Sequence, residues 1–174
     1  MSDWFPGSIH LGGKLPVVLA NELAAEIAAA AASLDWGGDV FIPETGEAII
    51  AATDPGTGHL HLYDDRACYG TFRQLEAWLE RHEIPYDRQS DAYNDMDGEA
   101  VSYRPGQGVV WHAANQAGDP LISADHVRVV RNLLRTAVEE RSPERVRQAL
   151  AMLETALGPD VAPLPRLELV DDRG

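Results

Sequence analysis

The stretch YDRQSDAYNDMDGEAVSYRPGQGVVWHAAN, residues 86–115, decides the fold class of this chain. Tyr86 to Ser90, Glu99 to Tyr103 and Val109 to Ala113 are short runs suited to strands. Two turn-rich stretches separate them, Asn94-Asp95-Met96-Asp97-Gly98 and Arg104-Pro105-Gly106-Gln107-Gly108. Connections this short join antiparallel neighbours, because a parallel pair needs a crossover of about a dozen residues or more. The spacing predicts consecutive antiparallel hairpins.

Working outward, the segments on either side alternate between helix and strand patterns. Gly70 to His82 places Phe72, Leu75, Trp78 and Leu79 at helical spacing, with Thr71 and Gln74 in a capping-box pattern and Ile84-Pro85 as the stop. His59-Leu60-His61-Leu62-Tyr63 alternates as a strand does, after the turn Asp54-Pro55-Gly56-Thr57-Gly58. Glu44 to Thr53 fits a short helix capped by Thr45, with a strand as the alternative. Pro16 to Leu34 carries Val17, Leu19, Leu23 and Ile27 on one stripe among alanines that permit close packing. Ser8 to Leu11 is a short strand stopped by Gly12-Gly13. Downstream, Ser123 caps a helix running to about Arg141, and Ser142-Pro143 opens another that ends at Gly158-Pro159.

The expectation is an α+β fold: a small antiparallel sheet packed by helices, with two consecutive C-terminal helices. A mixed, ferredoxin-like sheet is the variant considered. Residues 1–7 are expected to form an N-terminal arm, 8–158 one domain, and 159–174 an extended tail with three prolines at Pro159, Pro163 and Pro165.

The chain has 174 residues and a formal charge of −14, from 28 acids and 14 bases. Residues 1–100 hold 18 acids and 5 bases; residues 101–174 hold 10 and 9. Such a surface repels nucleic-acid phosphates and anionic membrane and attracts basic surfaces. Solubility is the simpler purpose of the same charge. The single cysteine, Cys68, excludes an internal disulfide and a multi-cysteine zinc site, and fits a reducing compartment. The start, Met1-Ser2-Asp3-Trp4-Phe5-Pro6, has neither a basic n-region nor an apolar h-region, so a cytoplasmic location is expected.

Signatures of catalysis are sparse. His59 and His61 stand two apart on a strand, where side chains share a face, and are weak metal candidates if Asp64, Asp65, His10 or His112 supplies a third ligand. The polar face of an edge strand, with Leu60 and Leu62 inward, is the preferred reading, because two ligands without a third are not a site. Asp91 to Glu99 invites a calcium-loop reading, but aligning Gly98 with the sixth position leaves Tyr93 at position one and Arg104 at position twelve, where carboxylates are required. Cys68 has no local nucleophile signature. Gly56-Thr57-Gly58 and Gly106-Gln107-Gly108 lack phosphate-loop spacing. No cofactor is called for. Arg128, Arg131 and Arg135 form a basic row on one helix, which solvation and pairing with Glu139, Glu140 and Glu144 account for.

What remains is an acidic span with tyrosines interleaved. Asp87, Asp91, Asp95, Asp97 and Glu99, with Tyr93, are the candidate partner-binding residues. Carboxylates spaced along hairpins can imitate a phosphate backbone, and tyrosine suits interface hot spots. The reading that follows is a non-catalytic interaction or inhibitor protein that binds a basic protein surface, in its sharpest form a nucleic-acid mimic acting on a nucleic-acid-binding protein. In size and charge the chain is similar to the small acidic anti-restriction and anti-CRISPR inhibitors of phages and mobile elements, without a motif that ties it to a family. The alternatives are a small metal-dependent enzyme or binder built on His59 and His61, or a domain whose acidity only keeps it in solution. Direct nucleic-acid or membrane binding is not expected, and a homodimer through the C-terminal helices is open to it.

Overall fold

The structure is a computed structural model and describes residues 3–92, 97–115 and 118–171. Its centre is a five-stranded sheet in the order β3-β1-β4-β5-β6. These strands are β1 (Trp4–Leu11), β3 (Leu60–Cys68), β4 (Tyr86–Ser90), β5 (Gly98–Arg104) and β6 (Gly108–Ala114). Every neighbouring pair is antiparallel. The meander β4-β5-β6 is the one expected from residues 86–115. Because β1 lies between β3 and β4 and opposes both, those two run parallel, and the helix α3 (Arg73–Arg81) joins them as a split crossover. A split β-α-β unit is thus present in one half, with the meander in place of the second, and because no neighbouring strands of this sheet are parallel the mixed variant is not what forms.

Alternation along the strands separates two faces. Ile9, Leu11, Leu60, Leu62, Tyr86, Val101 and Tyr103 turn inward and are buried. Against them pack α1 (Val17–Ala30), through Ala20, Leu23, Ala24 and Ile27, and α3, through Leu75, Trp78 and Leu79. The short helix α2 (Gly46–Ala51) adds Ile49, and its Thr45 hydroxyl accepts the Ala48 N–H as the sequence predicts. The capping box of α3 is different. Thr71 donates to the Cys68 carbonyl, and the Phe72 N–H goes to Glu76 Oε1 at 2.7 Å.

One charged group enters this inner layer. Arg88 is 5 % exposed and donates to the Gly70 carbonyl at 3.1 Å and to Glu99 Oε2 at 2.9 Å, while its Nε lies 3.2 Å from Glu76 Oε1. Burial pushes the Glu76 carboxyl above its ordinary range, and Arg88 draws it back down. Removing one member of such a buried group typically costs about 3–5 kcal/mol, because its partner is left charged and dry.

Both ends of the chain differ from expectation. The strand β1 begins at Trp4, and Phe5 is buried, so the presumed arm belongs to the sheet. Pro6 is tolerated in a central strand because the register shifts between Phe5 and Gly7. At Gly7 a Cβ would stand 2.7 Å from the Gly70 carbonyl oxygen, so the bulge packs backbone on backbone. The tail is docked as well. Its last strand, β7 (Glu168–Val170), pairs in parallel with β2 (Lys14–Pro16), and Leu167 is buried. Between Pro159 and Arg166 it runs without helix or strand. Its carbonyls accept bonds from Gln107, Arg104 and the Gly13 N–H. A proline-rich segment lacks donors but keeps its acceptors, which is why such a strap can be tied from one side.

The helices α4 (Ala124–Glu139) and α5 (Pro143–Leu157) form an antiparallel hairpin capped by Ser123 and Ser142. They pack on each other and make at most marginal contact with the other elements. Among the described residues no helix is long and apolar enough to cross a membrane.

Candidate functional site

The outer face of β3, β1 and β4 carries the side chains that alternation turns away from the core. Cross-strand register aligns them in two rows: His61, His10, Asp87 and Ser102, then Tyr63, Ser8, Gln89 and Ala100. All are half-buried, and Asp91 follows at the end of β4. The segment after α1 bonds to the β3 edge, with Ser33 and Tyr63 exchanging backbone hydrogen bonds. This brings Trp36, 57 % exposed, edge-on to Tyr63 at 5.9 Å between ring centres. The result is a cavity of about 250 Å³ lined by His10, Trp36, His61, Tyr63, Gln89 and Asp91, among others.

Histidines form the floor. The His10 and His61 rings lie 3.5 Å apart between centres, and His59 stands 6.5 Å from His10. His61 Nδ1 is 2.9 Å from the Tyr63 hydroxyl. His59 Nε2 lies 3.0 Å from the Leu164 carbonyl of the strap, and since a carbonyl only accepts, that nitrogen carries the proton. Burial lowers the His61 pKa to about 4, with His10 as the second cause. Burial lowers His10 as well, followed by His59, while Asp87 opposes the shift. Both rings are neutral at pH 7, so the acids around them set the charge of the face.

Arg104 is the cation beside the cluster, and it is already committed. Its Nη1 donates to the Tyr86 and Tyr103 carbonyls, its Nη2 to Asp87 Oδ2 at 3.0 Å, and its Nε to the strap at Ala162. With both Nη1 protons used, the 2.9 Å approach of Nη1 to Asp87 Oδ1 is a Coulombic contact rather than a further hydrogen bond.

The acidic candidates are divided by this geometry. Asp87 and Asp91 belong to the outer face. Glu99 reaches the inner layer, where it pairs with Arg88, so it is withdrawn from the set. Asp97 is exposed just before β5. Asp95 and Tyr93 lie outside the described residues. His59 and His61 are brought together with His10, but among the described residues no three ligating side chains converge to hold a metal. Cys68 opposes Trp4 at the far end of β3 from the histidines. Trp36 and Arg104 are members of the site that sequence reasoning missed. Trp36 lies outside any periodic segment, and Arg104 reads as a turn residue.

The arrangement can hold a positively charged group. The Asp91 carboxylate shares this cavity with the aromatic walls of Trp36 and Tyr63, a combination that attracts ammonium and guanidinium groups through charge and ring quadrupole together. Compared with family models, with curated proteins and with solved structures, the chain matches none.

Proposed function

We propose that this chain is a non-catalytic interaction protein whose outer sheet face binds a basic surface on a partner protein. One observation carries the reading. On the face of β3, β1 and β4, Asp91 stands with Trp36 and Tyr63 around a cavity, and the nearby Arg104 is already neutralised by Asp87. Neutral histidines leave the Asp91 charge unopposed there. In its sharpest form the partner is a nucleic-acid-binding protein whose basic groove the carboxylates occupy, in a reducing, cytoplasmic setting that a lone cysteine suits.

The test keeps Asp87, because its carboxylate holds Arg104. Wild type is compared in affinity capture with a variant in which Asp91, Asp95 and Asp97 become Asn, and with Trp36→Ala. The expected result is a nucleic-acid-binding protein retained by wild type, lost from both variants, and displaced by added duplex DNA or by about 0.5 M salt. Equal capture by all three proteins, or capture that nucleic acid does not compete, would sink the idea and leave the acidity as a solubility device.

A further inference from the structure

The hairpin of α4 and α5 has more apolar surface than its own packing uses. Val130 and Ala137 on α4 and Ala149 on α5 are buried between the helices. His126 Nε2 reaches the Met152 carbonyl on the same inner side. Val127 and Val138 follow the inward His126 and Ala137 of α4 by one residue, with Leu134 on the same stripe at helical spacing, and Leu150 follows the inward Ala149 of α5, with Val146 and Leu157 four and seven residues from Leu150. One residue is a turn of about 100°. In an antiparallel pair, equal turns on both helices bring the two stripes to the same side. The shallow groove shared by Ala137, Val138, Pro143 and Val146 shows this juxtaposition directly. The six side chains of the stripes are 37–76 % exposed.

We infer that this face is the contact between two copies of the chain, which join as a four-helix bundle. Three features point to a second copy rather than another occupant. A single apolar stripe shared by two antiparallel helices is self-complementary about a two-fold axis, as an isologous contact requires. Charge permits it here and opposes it elsewhere. From Ser123 to Gly158 there are six arginines and five acids, whereas the rest of the chain holds 23 acids and 8 bases. Like-charge repulsion therefore keeps the sheet ends apart and leaves the hairpins free to meet. Size is adequate too. Two helices of about 23 Å, set about 10 Å apart, offer a flat footprint of about 450 Å² per copy. The pair comes to about 900 Å² before corrugation is counted, close to the roughly 1,000 Å² a specific contact needs. The ion pairs Arg145–Glu140 and Arg147–Glu144 satisfy two of the three arginines at the turn end within each hairpin, and Arg141, beside the groove, has a stem long enough to keep its guanidinium in water at the rim.

Sedimentation equilibrium on the intact chain tests this. Wild type at about 100 μM is expected at twice the chain mass, unchanged in about 0.5 M salt. Val138→Glu with Leu150→Glu, both at exposed positions, is expected to be monomeric, with an unaltered circular dichroism spectrum and a dimer dissociation constant raised at least about 100-fold. Val138→Glu alone should weaken the dimer in the same sense, should the double variant fold poorly. A wild-type monomer at that concentration overturns the inference. So does a dimer that survives the substitutions, or a mass that grows past two copies and collapses in salt, as arginine-to-acid association would.

Discussion

His61 joins the sheet register to a measurable property. Its ring stacks on His10, and burial followed by that neighbour lowers its pKa from 6.5 to about 4. The unfolded chain takes up a proton near pH 6.5 while the folded chain does not. Stability is therefore intact above that point, and is lost as pH falls from about 6.5 towards 4. In a sealed site the shift would be worth about 3 kcal/mol; with solvent reaching the pair the expected loss is about 1 kcal/mol. Between pH 7.5 and 5 the melting temperature of wild type should fall about 3 °C further than that of His61→Gln. Equal falls would mean that the folded pair accepts protons freely. The histidine pair is legible in sequence as an alternating strand, and so is the acidic run. Their division between faces is not. Placing Asp87 outward and Glu99 inward needs the pairing of Ser90 with Glu99, and that register depends on the turn between the two strands. The fate of Arg88, held between Glu76 and Glu99, is equally non-local.

Elements with local signals were legible, and elements defined by partners were not. The meander and α3 follow from turn residues and periodicity, and α4 and α5 from periodicity and caps. The strand β1 reads short in sequence because Pro6 and Gly7 look like punctuation, yet a bulge absorbs both while β3 and β4 hold the strand on either side. The tail reads as merely extended because prolines give no period, yet its carbonyls are held by side chains distant in sequence and Leu167 plugs the core. Truncating these two ends distinguishes docking from dangling. Phe5→Ala and Leu167→Ala should each cost about 2–4 kcal/mol in urea denaturation with little change in slope, as buried apolar truncations do. Losses within about 0.5 kcal/mol, the range of a surface change, would mean that the ends do not belong to the folded unit.

At the scale of the whole molecule the charge is confined rather than uniform. Nearly all the excess sits in residues 1–100, which supply β1, β3, β4, α1 and α3, while the hairpin is close to neutral. A chain of this length folds to a radius of gyration of about 16 Å. At about 0.01 M salt the screening length is about 30 Å, so every acid of that half feels the others; at about 1 M it is about 3 Å and only direct neighbours count. Self-repulsion destabilises the compact state, and the ion pairs that oppose it most strongly, around Arg88 and Arg104, are shielded from salt by burial. Added salt therefore removes more repulsion than attraction. The melting temperature of dilute protein should rise by several degrees, about 1–2 kcal/mol, between about 0.01 and 0.5 M sodium chloride. Protein concentration must be held fixed, because association alone raises an apparent melting point. Asp91→Asn with Asp97→Asn should shrink the increment, since it takes two charges from the crowded half. A melting point that is flat or falls with salt would mean that the surface pairs outweigh the repulsion, and that the acids are too far apart to act as the concentrated field a basic partner would read.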